Sequence, residues 1–164
     1  MIQVIDNFLD DNSSKHLHDG MLSSSFPWFL CDKIVLKQPT DNIQFTHIFY
    51  GEGEPKSQFY QELVNIGILA KLNASALVKV KSNIQLKSHS IIKNPLHVDN
   101  SHANCITGIY YVNTNNGYTY FENGEVVESI CGRMVLFPSN MIHGGTTCTD
   151  QKYRCVINFN FYPV

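Results

Sequence analysis

Arginine is nearly absent from this chain: Arg133 and Arg154 stand against ten lysines in 164 residues. Cysteine is sparse and unpatterned. Cys31, Cys105, Cys131, Cys148 and Cys155 are an odd number without a C-x-x-C pair, which argues against a disulfide framework or a cysteine zinc site and fits a reducing cytoplasm. No apolar run approaches the roughly twenty residues of a membrane span, and the amino terminus carries no signal-peptide pattern. The expectation is a cytoplasmic protein without membrane contact. Charge of one sign is lacking too: a formal net charge of −2 creates no field that would draw nucleic acid.

What is present is ordinary for a globular protein, with 43% hydrophobic and 16% charged residues. This composition argues against disorder. The length suits one domain spanning 1–164, without linkers, repeats or low-complexity tracts. Its parts are expected to be a helical support over about 1–75 and a β-rich core over about 77–162. Lys79, Lys81, Lys87 and Lys93 form a local basic stretch that reads as a solvated strand edge.

In the amino-terminal part, Ile2 to Ile5 is a short β-prone run. Asp10 or Asp11 can cap a helix that turns Leu17, Met21 and Leu22 inward. Trp28 to Leu36 and Gln44 to Tyr50 read as strands, the second with Phe45, His47 and Phe49 on one side. A second helix is expected from about Ser57 to Leu72, with Phe59, Leu63, Ile66 and Leu69 or Ala70 at helical spacing.

From Leu77 onward, short strand-like runs recur: Leu77 to Leu86, Cys105 to Asn113, Tyr118 to Glu122, Val126 to Ile130, Met134 to Phe137, Gly145 to Thr149 and Tyr153 to Tyr162. Asn116-Gly117 and Asn123-Gly124 signal two-residue hairpins. Many short strands behind a helical layer predict a mainly β fold with flanking α-helices, built on an antiparallel jelly-roll core.

The chemistry concentrates in four residues. His97 and Asp99 are two apart, so an extended segment projects both from one face. His143 follows the breaker Pro138-Ser139-Asn140 and precedes Gly144-Gly145, where the backbone can pass close to a site. Two imidazoles and one carboxylate hold a divalent metal and leave positions open, the set that suits Fe(II) rather than a closed zinc site. Arg154 lies in a strand with almost no other charge. Alternation puts Arg154, Val156, Asn158 and Asn160 on one face and Cys155, Ile157, Phe159 and Phe161 on the other, which is the core face. An unpaired guanidinium pointing into a barrel is costly, and a dicarboxylate ligand explains it better than packing does. Tyr111 falls on the face of its strand shared with Cys105, Thr107 and Ile109, where its phenol can meet the same carboxylate. Taken alone, the residues also allow His97 and His143 as polar loop side chains and Asp99 as an Asx turn.

His97-Val-Asp-Asn100, Cys-Ile-Thr-Gly-Ile-Tyr-Tyr-Val-Asn113, Gly-Arg-Met-Val-Leu-Phe137, His143 and Arg154 together resemble the 2-oxoglutarate/Fe(II)-dependent oxygenases, most of all the prolyl hydroxylase branch. The resemblance spans roughly Leu77 to Tyr162. It implies a double-stranded β-helix of cupin-like type, with His97, Asp99 and His143 as iron ligands and catalytic centre. Arg154 would bind the distal carboxylate of 2-oxoglutarate with Tyr111 as partner, and Asn158 would face the cosubstrate or an iron-bound water. The implied cofactor is Fe(II), with 2-oxoglutarate and dioxygen as cosubstrates and room for ascorbate as a reductant. The implied activity is hydroxylation of an unactivated C–H bond, on a prolyl residue of a peptide or protein. Hydroxylation of a small molecule or free amino acid stays open, as does a non-catalytic metal-binding cupin module.

Two departures stand out. The family often places a tyrosine on the strand before the metal doublet, where this chain has Ser82-Asn-Ile-Gln-Leu-Lys87, so Asn83 or Gln85 would have to substitute. Asn160 stands where an apolar aromatic is expected. Arg133 reads as structural and Phe137 as core. His102 reads as a loop residue, and His16 and His18 as solvated. His47, His89 and the oligomeric state are left undecided.

Overall fold

The two-faced alternation of Tyr153–Pro163 organises the whole molecule. In the computed structural model, which describes residues 1–31, 43–102 and 104–164, this segment is a long strand at the middle of the larger of two sheets. In chain order the elements are β1 (Gln3–Ile5), α1 (Asp11–Met21), β2 (Phe29–Cys31), β3 (Gln44–Gly51), β4 (Glu54–Pro55), α2 (Tyr60–Asn65) and α3 (Ile68–Lys71). There follow β5 (Ala74–Leu86), β6 (Ile106–Tyr111), β7 (Tyr118–Phe121), β8 (Val126–Glu128), β9 (Met134–Pro138), β10 (His143–Gly145) and β11 (Tyr153–Pro163). The large sheet runs β1-β9-β6-β11-β5-β3-β2, with β4 hairpinned onto β3, and the small sheet runs β10-β7-β8. Every pairing is antiparallel. The fold is mainly β, a jelly roll with helices packed on one side, as the sequence leads one to expect.

Three layers result. On the outer face of the large sheet, Cys155, Ile157, Phe159 and Phe161 of β11 pack with Val80 and Ile84 of β5, Phe49 of β3 and the helical residues Leu17, Met21, Leu63 and Ile68. Leu63, Ile68, Ile157 and Phe159 are wholly shielded from solvent. Between the sheets, Ile109, Tyr111, Val135, Phe137 and Val156 meet Phe121 and Val127 in a smaller apolar cluster. The polar cavity described below occupies the rest of that inter-sheet space.

Several local expectations hold. Asp10 caps α1, accepting from the Ser13 amide at 3.0 Å, and Leu17 and Met21 are buried. Arg133 pairs with Asp6 at 2.6 Å, and Phe137 is core. Cys105, Cys148 and Cys155 are buried thiols, the small core residues that their strand-like surroundings suggest. No helix among the described residues is long and apolar enough to cross a membrane.

Others need correction. The single helix expected over 57–72 is two short helices, because Gly67 sits at φ 76° and breaks the turn there. Leu63 and Ile68 are consequently the anchors, while Ile66 and Leu69 are only partly buried. Asn116-Gly117 joins no hairpin, since β6 and β7 belong to different sheets. Asn123-Gly124 does turn β7 into β8, but only Gly124 has positive φ, at 88°, so the turn is not type I′. The strand expected over 145–149 lies earlier, at His143–Gly145, and the Trp28–Leu36 strand is seen over Phe29–Cys31, its remainder lying outside the described residues. For Lys79 and Lys81 the strand-edge reading fails, since β5 is flanked by β11 and β3 and both side chains line the inter-sheet cavity, while Lys87 and Lys93 are exposed beyond β5.

Two glycines make a paired test of this backbone reading. Gly20 lies within α1 with open space around its Cα, whereas Gly67 requires the left-handed conformation. Gly20→Ala is expected to stabilise by about 0.5 kcal/mol through helix propensity. Gly67→Ala is expected to destabilise by about 1 kcal/mol through backbone strain. Urea unfolding of both variants checks the signs; equal effects would refute the helix break at Gly67.

Candidate metal and cosubstrate site

His97 and His143 are joined before any side chain is considered. Their backbones form an isolated antiparallel bridge, His97 N–H donating to His143 O at 2.9 Å and His143 N–H to His97 O at 3.0 Å. Asp99 is fixed by its amide, which donates to Ser139 O at 3.1 Å. Thus the segment after β5 and the start of β10 meet at one end of the jelly roll. One ligating atom from each of His97, Asp99 and His143 lies within 4.8 Å of the others.

Local hydrogen bonds set which nitrogens face inward. His97 Nδ1 lies 3.2 Å from Pro95 O, and His143 Nδ1 lies 3.0 Å from Met141 O. A carbonyl only accepts, so both Nδ1 atoms carry the proton and both Nε2 lone pairs are free for a metal. Asp99 Oδ1 is 3.6 Å from His97 Nε2, and Asp99 Oδ2 is 3.9 Å from His143 Nε2. Although the Asp99 backbone is open to water, its side chain is only 16% exposed.

Burial opposes ionisation of Asp99, but the neighbouring imidazoles of His97 and His143 and the Thr107 hydroxyl outweigh it and hold the carboxyl well below the usual range. Burial also works against a protonated His97, yet Asp99 overrides it and raises that pKa. His143 is more deeply enclosed, and burial lowers its pKa. The donor set is therefore two imidazoles and a carboxylate, matched to a divalent first-row ion with open positions.

Two further residues hold the carboxylate. Thr107 Oγ1 donates to Asp99 Oδ2 at 2.9 Å, and Asn160 Nδ2 donates to the same oxygen at 3.2 Å. Asn160 Nδ2 is also 3.0 Å from Thr107 Oγ1. The asparagine that breaks the sequence pattern thus has a use: an aromatic ring could not hydrogen-bond Asp99. Sequence reasoning passed over Thr107, although alternation puts it on the face shared with Tyr111.

Arg154 stands on the same face of β11 as Asn160, with Val156 and Asn158 between them. Arg154 as a whole is 5% exposed. Nε donates to Ser129 Oγ at 2.9 Å and Nη2 to Thr119 Oγ1 at 3.1 Å. Among the described residues it has no carboxylate partner, which leaves donors of its fork unused. Tyr111 approaches it, the guanidinium carbon lying 5.6 Å from the ring centroid. The phenol itself donates to Thr119 Oγ1 at 2.8 Å. Burial raises the Tyr111 pKa against the opposing pull of Arg154, so the phenol stays protonated. Thr119 accepts from both neighbours, and its own hydrogen is left for an acceptor in the cavity. Thr119 and Ser129 were not anticipated, because nothing in the sequence marks them.

The structure brings both groups onto one surface. A cavity of about 160 Å³ is lined by His97, Asp99 and His143 together with Arg154, Thr119 and Asn158. Tyr111 lies behind that wall, fully buried. Close approach is enforced by glycine: a Cβ on Gly117 would come within 2.7 Å of Arg154 Cδ, and one on Gly145 within 3.2 Å of Arg154 Nη1. Three buried polar atoms, Asn83 Oδ1, Gln85 Nε2 and Asn158 Oδ1, have no hydrogen-bond partner among the described residues, and all three residues line this cavity. Gln85 faces Arg154 across the β5–β11 ladder, and its Oε1 is taken by Asn94 Nδ2 at 3.1 Å. Its free Nε2 is thus a donor beside the guanidinium, where the sequence lacks a tyrosine.

The remaining histidines lie apart. His47 is a satisfied core residue, with Nδ1 2.8 Å from Pro27 O and Nε2 2.8 Å from Ser57 Oγ. His89 and His102 are exposed.

No family model matches the chain, and no curated protein matches it. Among solved structures it resembles a prolyl hydroxylase from Trichoplax adhaerens in complex with a hypoxia inducible factor oxygen degradation domain peptide fragment. That likeness has a TM-score of 0.62 at 17% identity, covering 98% of this chain and 83% of the other. The chain has the fold of the 2-oxoglutarate/Fe(II) oxygenases. Two further likenesses are of similar extent. One is HygX from Streptomyces hygroscopicus, with nickel and 2-oxoglutarate bound (TM-score 0.66, 12% identity, 99% and 83% coverage). The other is the non-heme alpha ketoglutarate dependent epimerase SnoN from nogalamycin biosynthesis (TM-score 0.67, 10% identity, 99% and 77% coverage). The jelly roll thus serves quite different substrates, and substrate has to be argued from the cavity itself.

Asn160 and Thr107 act on a metal only through Asp99, which makes them positioning residues. Asn160→Leu is expected to weaken Mn(II) binding about tenfold while leaving the circular dichroism spectrum unchanged. Titration followed by electron paramagnetic resonance measures it; unaltered affinity would show these donors to be idle.

Proposed function

We propose that this protein is an Fe(II)- and 2-oxoglutarate-dependent dioxygenase that hydroxylates an unactivated C–H bond and releases succinate and carbon dioxide. One observation carries the reading: the His97, Asp99 and His143 group and the acid-free Arg154 guanidinium share a single cavity. A metal-binding cupin module without oxygenase activity has no need of a buried cation there.

When bound, ferrous iron and 2-oxoglutarate supply dioxygen activation by oxidative decarboxylation, with ascorbate as a compatible reductant. The chain's own residues do the holding and orienting. His97 and His143 offer Nε2, and Asp99 offers the carboxylate kept anionic by its neighbours. Arg154 grips the distal carboxylate of the cosubstrate through its free fork, with the Thr119 hydroxyl as second donor. Tyr111 fixes that hydroxyl from behind. Gln85 Nε2 stands in for the tyrosine that the family resemblance implies on this strand, and Asn158 faces the cosubstrate or a metal-bound water.

The substrate we assign is a prolyl residue of a peptide or protein, acted on in a reducing cytoplasm. The motif resemblance supports this, together with the likeness in fold to a prolyl hydroxylase that binds a peptide. A small molecule or free amino acid is the second reading, favoured by the modest cavity volume of about 160 Å³.

Mn(II) with millimolar 2-oxoglutarate is expected to raise the melting temperature, as ligand linkage requires, and the absence of a shift would count against the oxygenase. Asp99→Ala is expected to abolish succinate formation. Arg154→Ala is expected to raise the 2-oxoglutarate KM by about 10- to 100-fold, the loss of a charged hydrogen bond. Mass spectrometry for a 16-dalton gain on proline-containing peptides reads out the substrate assignment.

A further inference from the structure

The cavity carries more positive charge than the proposed reaction consumes. Its charged walls are Lys79, Lys81 and Arg154 against the single carboxylate of Asp99. Histidines that hold a metal are neutral. A divalent ion and a 2-oxoglutarate dianion cancel one another, so loading the cavity leaves a surplus of two positive charges. Arg154 is occupied by the cosubstrate, and Asp99 by the metal, Thr107 and Asn160. The surplus therefore resides on the lysines.

Lys81 is placed for a purpose. It lies in a row with Asn83 and Gln85 on the cavity face of interior strand β5, opposite Asn158 of β11 and Ile48 of β3. It is half-buried, and no hydrogen bond or ion pair joins it to a described residue. Lys79 repels it, while Asp99 and His97 are close enough to interact electrostatically. An ammonium removed from water without a partner is unfavourable, and an apolar side chain would complete this wall at no such cost. The row also has a direction. Gln85 pairs with Arg154 at the cosubstrate end, whereas Lys79 pairs with Asn160 at the metal end. Lys79 also borders a second, more apolar groove lined by Phe29, Ile48 and Phe59, so one lysine of the row is shared between the two cavities.

We propose that Lys81, assisted by Lys79, binds a carboxylate of the substrate, so that the oxidised C–H bond belongs to an acid. This rests on the oxygenase reading. The carboxylate comes either from an acidic side chain beside the oxidised residue of a peptide or from a small acid, and both present the same group to the ammonium.

Calorimetric titration of protein loaded with Mn(II) and 2-oxoglutarate, without oxygen, tests this. The small-acid pair is N-acetyl-L-proline against N-acetyl-L-prolinamide. The peptide pair is blocked Ala-Ala-Pro-Asp-Ala against blocked Ala-Ala-Pro-Asn-Ala. The carboxylate member of at least one pair is expected to bind about tenfold tighter, as a charge-assisted contact implies. Which pair shows it identifies the source. In Lys81→Met the preference is expected to vanish while the 2-oxoglutarate dissociation constant stays the same. Equal or absent binding within both pairs overturns the proposal, as does a preference that survives in Lys81→Met. A weakened 2-oxoglutarate affinity in Lys81→Met would instead assign the lysine to the cosubstrate and overturn it too. If 2-oxoglutarate fails to bind the wild-type protein at all, the oxygenase reading fails first and separately.

Discussion

A buried guanidinium that meets no carboxylate among the described residues is the constraint around which this molecule is arranged. Removing Arg154 from water costs several kcal/mol unless its donors are met. The protein meets part of the demand with neutral oxygens from Ser129 and Thr119, and backs them with the Tyr111 phenol. Gly117 and Gly145 then clear the space that the side chain needs. Such a group strongly favours an anionic guest, and the shape of the space around it favours one that reaches toward His97, Asp99 and His143.

The two faces of β11 divide the labour of the fold. Cys155, Ile157, Phe159 and Phe161 tie the large sheet to the helices, while Arg154, Asn158 and Asn160 furnish the cavity. A one-residue slip in the pairing of β11 with β5 or β6 would exchange these faces and destroy core and site together. Stability and chemistry are thus specified by the same register.

This division explains what could be read from the residues beforehand. Period-two alternation in β6 and β11 exposed the core and site faces alike, because burial on one side and polarity on the other leave a strong pattern. The metal group was legible because few residue types bind a metal, and Arg154 because arginine is so rare here. Thr107, Thr119 and Ser129 were not legible: a hydroxyl is common, and the partners that give these three a use lie 8 to 35 residues away at no patterned spacing. The lysines of β5 were misread because a basic strand usually lies at an edge, and only the sheet order shows that this one does not. The Gly67 break was hidden within a periodic apolar pattern that two short helices satisfy as well as one.

The reciprocal amide bonds between His97 and His143 have a consequence for the candidate metal ligands. The main chains of the two histidines are tied together by contacts that owe nothing to a metal, so their spacing is set by the fold itself. The third member, Asp99, is held differently, by its amide to Ser139 and by the side chains of Thr107 and Asn160.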